Sequence, residues 1–215
     1  LDAARRLLLH YGYDKTTQAD IADEAGIAKS TLYRRWKKKD DVMMALLWRE
    51  SRLYTEDWLA RIEADPHGGN MAGLFKHALL ALHDNAFMHA LLTRERHLVG
   101  RMLHIANING LYQQRAQLIA GLIRRMQEVG AVRKDISAET MAFVMNGMQY
   151  GILSLAEMTD DAQTPDMESM LHIMSEMIDR FLSPPDGESN SEGAKAVIRE
   201  YAQQVRFLLD QLART

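Results

Sequence analysis

The stretch IADEAGIAKSTLYRRWKKKDDV, Ile21 to Val42, interrupts helical periodicity at Gly26 and resumes it one turn later. Thr17 followed by Asp20 three residues on has the spacing of a capping box, so a helix is predicted to begin there, with Ile21, Ala22 and Ala25 on its inward side. Gly26 supplies the stop, and Ile27 is expected to plug the turn. Leu32 and Trp36, four residues apart, fall on one helical face and point toward the same core as Leu7, Leu8 and Tyr11. Two short helices joined this tightly have the layout of a helix-turn-helix.

The charges gather at the second of these helices. Lys29, Arg34, Arg35, Lys37, Lys38 and Lys39 follow one another with no acid between them. The outward face mixes cations with hydroxyls: Lys29, Ser30, Tyr33, Arg34 and Lys37. Such a face suits a DNA groove, because cations bind phosphates and Arg34 or Lys29 can fork onto guanine O6 and N7, which contributes about 1–3 kcal/mol of discrimination. The competing reading is a solvated basic face on a helical hairpin.

The whole chain narrows the choice. It has 215 residues with 26 Lys and Arg against 29 Asp and Glu, a formal charge of -3, so nucleic-acid contact is expected to be local rather than spread over the surface. The apolar fraction of 47% is enough for a buried core. There is no cysteine, which excludes disulfides, thiolate chemistry and Cys-ligated zinc and permits a cytoplasmic location. No apolar run approaches the roughly 18 residues of a membrane span, so no membrane partner is expected.

Apolar residues recur at helical spacing nearly everywhere and only four prolines occur, which predicts an all-α protein. Helices are predicted over about 1–11, 18–25, 29–35, 40–63, 70–83, 86–104, 107–129, 137–157, 166–182 and 193–213. The run SPPDGESNSEG, Ser183 to Gly193, reads as a flexible connection. It leads to a final helix with Val197, Tyr201, Val205, Leu208 and Leu212 on one stripe, expected to dock on its own subunit or a dimer mate.

The segment GYDKTTQADIADEAGIAKSTLYRRWKKKDDVMMAL resembles the DNA-binding part of the TetR family of bacterial transcriptional regulators, through Gly12, Tyr13, Thr16, Thr17, Ile21, Ala22, Ala25, Gly26, Thr31, Leu32, Tyr33 and Lys39. The resemblance covers about residues 1–47. It implies phosphate contacts from Thr17, Tyr33 and Lys39, and places Lys29, Ser30, Thr31, Arg34 and Arg35 on or beside base edges. Two positions depart from the family pattern. Ala28 stands where a capping Ser is usual, weakening that cap by about 1 kcal/mol, and Trp36 stands for Phe and is expected to stay buried.

The resemblance also implies an architecture: a three-helix helix-turn-helix domain over 1–45, joined to a larger helical ligand-binding and dimerisation domain over 46–183. A flexible linker over 184–192 and an additional C-terminal amphipathic helix over 193–215 follow. AVRKDISAETMAFVMNGMQYGILSLAE, Ala131 to Glu157, is similar to the family's entry into its penultimate core helix. The implied partners are a double-stranded DNA operator, a second copy of the chain and an unidentified small-molecule effector, with no cofactor. One short recognition helix reads a few base pairs, and a two-fold pair reads a palindrome.

The dimer face is expected on the helices over 137–157 and 166–182, whose apolar residues exceed one stripe: Met170, Met174, Met177, Ile178 and Phe181, with Gly147 and Gly151 permitting close approach. The methionine-rich run reads first as core, and second as an adaptable ligand surface. An effector cavity would be lined from the middle helices by Tyr54, Trp58, Phe75, Leu79, His83, Met102, Tyr112, Arg115, Met145 and Gln149. A mostly hydrophobic molecule of drug size is the expected guest. The rivals are a metal-responsive regulator of the same fold, drawing on His83, His89, His97 and His104, a helical enzyme with an unrecognised site, and a protein-binding module using the final helix. No Gly-x-Ser-x-Gly, His-Glu-x-x-His or phosphate-binding loop occurs.

Overall fold

A computed structural model describes residues 1–93, 108–159, 165–184 and 190–213. Among these residues there are ten helices and no strand: α1 Asp2–Lys15, α2 Gln18–Glu24, α3 Lys29–Arg35, α4 Lys39–Ala64, α5 Met71–Asp84, α6 Ala86–Thr93, α7 Ile108–Glu128, α8 Ala138–Met158, α9 Met167–Leu182 and α10 Ser191–Leu212. The predicted helix over 86–104 is described only as far as Thr93.

Local chemistry sets the first turns. At the start of α2 the Thr17 hydroxyl accepts from the Asp20 N–H at 3.2 Å while the Asp20 carboxylate accepts from the Thr17 N–H at 3.0 Å, closing the capping box. At its end Gly26 turns left-handed, φ 65°. The Ile27 N–H then donates to the Ala22 carbonyl at 3.0 Å and the Gly26 N–H to that of Asp23 at 3.1 Å, the paired bonds of a Schellman stop. A Cβ at Gly26 would meet nothing within 4 Å. Gly26→Ala is therefore expected to cost only the backbone strain, about 1 kcal/mol, read as a lower midpoint of thermal unfolding.

Four inward assignments need correction. Ile27 remains 40% exposed and Ala25 is exposed, because the turn is closed by the Ile27 backbone and floored by Ile21, Ala22 and Leu32. Tyr11 is exposed and Tyr13 is buried instead, since Gly12 leaves helical geometry (φ 81°, ψ 168°) and shifts the register after it. Trp36 is half-buried. Its carbonyl, orphaned at the end of α3, accepts from the Gln18 amide at 2.9 Å.

α4 joins two hydrophobic clusters. Its first half contributes Val42, Met43, Leu46 and Leu47 to a core shared with Leu8, Tyr13, Ile21, Leu32 and Phe87 of α6. Its second half contributes Trp58 and Ile62 to a larger core with α5, α7, α8, α9 and α10. The helix has 26 residues and no Gly or Pro, so it is a rod about 39 Å long. Between its halves Glu50 is only 2% exposed. It accepts from Arg49 at 2.7 Å and from the Asn85 amide at 3.2 Å, and lies 3.5 Å from Arg5. That carboxylate ties α1, α4 and the α5–α6 junction together.

α10 docks on its own chain. Val197, Ile198, Ala202 and Leu209 are buried, whereas Leu208 is exposed, so the buried stripe is rotated from the predicted one. Ion pairs run along the seam with α4: Arg199 to Glu63 at 2.7 and 3.0 Å, Arg206 to Glu56 at 3.8 Å and Arg52 to Asp210 at 4.0 Å. Residues 185–189 of the predicted linker lie outside the described residues, but its end is pinned. The Asn190 amide donates to the Val129 carbonyl at 3.0 Å, and the Ser191 hydroxyl accepts from the Gly69 N–H at 3.2 Å and donates to the Pro66 carbonyl at 3.2 Å. A Cβ at Gly69 would sit 2.1 Å from the Ser191 carbonyl oxygen, so only glycine admits this contact.

Candidate nucleic-acid interface and ligand cavity

Leu32 is the one buried residue of α3. It anchors the helix, and Lys29, Ser30, Thr31, Tyr33, Arg34 and Arg35 are all left exposed, with Lys37 beyond the helix end. No side chain caps the α3 N-terminus, as Ala28 predicts. The Lys29 amine lies 3.5 Å from Asp23, with both side chains more than half exposed. An exposed pair of this kind is worth well under about 1 kcal/mol and exchanges readily for a phosphate. The Arg35 guanidinium sits 5.7 Å over the Trp36 ring.

Thr17 is exposed at the start of α2, and its hydroxyl donates to Asp20 at 2.7 Å. That bond, with the Thr17 N–H, holds the Asp20 carboxyl below its usual pKa. Lys39 differs from the other cations. It is half-buried; its amine donates to the Tyr13 carbonyl at 2.9 Å and lies 4.0 Å from the centre of the Tyr13 ring. The Tyr13 hydroxyl bonds the Asp40 carboxylate. The start of α4 is thereby fastened to α1.

A cavity of about 70 Å³ opens in the larger core. Of the sequence-predicted ligand residues, Tyr54 and Trp58 of α4, Phe75 of α5, Arg115 of α7, and Met145 and Gln149 of α8 line it together. Thr55, Leu74, Ala78, Ile119, Leu122 and Asn146 complete the wall on those helices, and Tyr201 closes it from α10. Trp58 meets Tyr201 edge-on at 5.9 Å and donates from its indole N–H to the Leu74 carbonyl at 3.3 Å. Two assignments are corrected: Leu79 is fully buried in the core without facing the cavity, and His83 is exposed near the end of α5. Met102 and the Tyr112 side chain lie outside the described residues.

Burial raises the pKa of both cavity tyrosines. The Tyr201 hydroxyl is pushed up to about 12. The Tyr54 hydroxyl is also raised, chiefly by burial, and the adjacent Arg115 guanidinium opposes part of that effect. Both phenols are neutral donors near pH 7. Among the described residues no three His, Cys, Asp or Glu side chains converge to hold a metal ion, and His97 and His104 lie outside those residues.

α8 and α9 carry uncovered apolar side chains: Phe143 at 76%, Val144, Tyr150, Leu155 and Met158 on α8, and Ile173, Met177 at 57% and Phe181 on α9. Gly147 is exposed, Gly151 is half-buried, and a Cβ at either would meet nothing of its own chain within 4 Å. Met170 and Met174 are half-buried. Ile178 is corrected: at 3% exposure it faces its own subunit's core. The side chains that sequence reasoning passed over, Phe143 and Ile173 above all, differ from the buried ones only in which way their helix is turned.

Residues 1–46 match the profile of bacterial regulatory proteins of the tetR family. The chain is 41% identical over 51 residues to YvkB of Bacillus subtilis, an HTH-type transcriptional regulator, covering 24% of this chain and 27% of that one. It is 31% identical over 148 residues to the HTH-type transcriptional regulator Rv2250c of Mycobacterium tuberculosis, covering 67% of this chain and 74% of that one.

Proposed function

Since the chain belongs to the TetR family and is a DNA-binding transcriptional regulator, we propose that it is a repressor that binds a palindromic operator as a homodimer and is released by a small hydrophobic effector. The observation that carries this reading is the face of α3, where one buried leucine holds six exposed cations and hydroxyls outward. The division into a reader over 1–45 and a ligand-binding and dimerisation part over 46–183 is supported by the two hydrophobic clusters that α4 bridges. A bacterial operator is a cytoplasmic target, and no described helix is long and apolar enough to cross a membrane.

Selection of bound sequences from random duplex DNA tests the reading. A palindrome with half-sites about one helical turn apart is the expected result, and recovery of no consensus sequence would overturn it. Within that assay the side chains separate by role. Arg34→Ala is expected to relax preference at particular bases, a loss of about 1–3 kcal/mol of discrimination. Tyr33→Phe is expected to weaken binding to all sequences alike. Lys39→Ala is expected to do so too, lowering the salt slope by about one unit for each phosphate left without its cation and loosening the α4–α1 junction. Arg34→Ala with an unchanged consensus would remove that side chain from base readout.

The cavity is the proposed effector site. At about 70 Å³ it is smaller than the roughly 150 Å³ that admits benzene and the roughly 300 Å³ or more of a drug-sized site. A guest of that size must part the helices around it. Three of the lining side chains, Tyr54, Thr55 and Trp58, belong to α4, so parting the wall moves the rod that carries the reader.

A further inference from the structure

The described wall of the cavity holds one cation and no anion. Arg115 is half-buried there, on α7, and no ion pair joins it to a carboxylate among the described residues. Asp57 acts on the neighbouring Tyr54 hydroxyl, but its carboxylate is taken by Arg61 at 2.8 Å. The other polar groups beside Arg115 are neutral. The Tyr54 hydroxyl accepts from the Arg115 guanidinium and keeps its own proton to donate. The Gln149 amide is buried in the wall. The Asn146 amide N–H₂ is already committed to the Ala142 carbonyl at 2.8 Å. The remainder of the wall, including Trp58, Phe75, Leu122 and Met145, is apolar.

We propose that the effector is an apolar acid: a mostly hydrophobic molecule carrying one carboxylate, which pairs with the Arg115 guanidinium while Tyr54 and Gln149 donate to its oxygens. The inference rests on this cavity being the effector site. When a guest fills the space beside Arg115 it removes the water that solvates the guanidinium, and a charge stripped of water without a partner is costly. A carboxylate supplies that partner with two acceptor oxygens in the geometry of the guanidinium fork. A neutral guest leaves the charge uncompensated, and an ammonium adds repulsion. The apolar wall accounts for the rest of the molecule.

The test uses three probes of one shape, 1-naphthoate, 1-naphthamide and 1-naphthylmethylammonium, titrated calorimetrically into the DNA-free protein. Naphthoate is expected to bind at least about tenfold more tightly than the amide, equivalent to about 1.4 kcal/mol, with the ammonium weakest. Arg115→Gln is expected to abolish the preference for the acid. Arg115→Lys retains part of it, which separates a charge effect from misfolding, as does an unfolding midpoint of Arg115→Gln close to that of the parent. Equal binding of the three, a reversed order, no binding of naphthoate, or an acid preference that survives Arg115→Gln would each overturn the assignment. Repeating the naphthoate titration with the selected operator duplex bound keeps the two readings apart. An acid preference with no effect of DNA upholds the ligand class and sinks release by the effector, whereas a guest that DNA displaces without regard to its charge does the opposite.

Discussion

Protein carrying Phe143→Glu or Met177→Glu is expected to sediment as a monomer at micromolar concentration and to lose operator binding with it. Both side chains are largely exposed in the subunit, at 76% and 57%, so the isolated fold is disturbed little, within about 0.5 kcal/mol for a surface change. In a two-fold dimer each substitution occurs twice. An unpaired charge buried in an apolar contact costs about 3–5 kcal/mol, so two copies cost about 6–10 kcal/mol. A micromolar dimer has only about 8 kcal/mol of association free energy. Ile178→Glu is the contrasting variant: that side chain is buried inside its own subunit, so the charge should unfold the chain rather than divide the dimer. If Phe143→Glu and Met177→Glu both leave the dimer intact, the interface lies elsewhere, and the uncovered Phe207 of α10 marks the next surface to change.

The parts of the molecule that were legible in the sequence are those set by neighbours in the chain. Thr17, Asp20 and Gly26 fix the ends of α2 through bonds spanning five residues or fewer, and Leu32 fixes the face of α3. The ends of the long helices follow from the same kind of signal, such as Ser137 and Asp166 at their N-caps. Tyr54 and Trp58, one turn apart on α4, and Met145 and Gln149, one turn apart on α8, could be placed on common inward faces by period alone. Tyr201 could not. It reaches the cavity because α10 folds back along α4, and the Arg199–Glu63 ion pair that fixes this course joins residues 136 apart.

Helices apolar on both sides were the other blind spot. On α9, Ile173 and Ile178 have equal hydropathy, yet one is exposed and the other buried. Only the packing of that helix against α5 decides between them. His83 misled for a related reason. It lies in the last turn of α5, where the helix has passed the cavity and its next residues, Asp84 and Asn85, bond Arg61 and Glu50 instead.

A ligand that raises the unfolding midpoint of the free protein is expected to bind the operator complex some ten- to a hundredfold more weakly, a coupling of about 1.4–2.7 kcal/mol. The reason is mechanical. The cavity side chains of α4 and the core of the reader lie on one uninterrupted rod, so a guest that displaces Trp58 tilts the segment bearing Leu46 and Lys39. Lys39 and Asp40 are bonded to Tyr13, so the tilt carries α1 with it and, through α2, the face of α3. In a dimer the separation of the two reading helices changes by twice the displacement of one, taking them out of register with successive major grooves. Linkage requires the converse, that DNA weaken the guest by the same factor. Equal affinities with and without operator would sink the switch and leave DNA binding intact. The Glu50 node gives a second handle on the same mechanism. Its carboxylate holds Arg5 of α1 and Asn85 beyond α5 to the middle of α4, so Glu50→Ala removes one of the ties between α1 and the rod. That variant is expected to bind the guest as before while the effect of operator on guest affinity is reduced, not abolished, because the Lys39 and Asp40 bonds to Tyr13 remain.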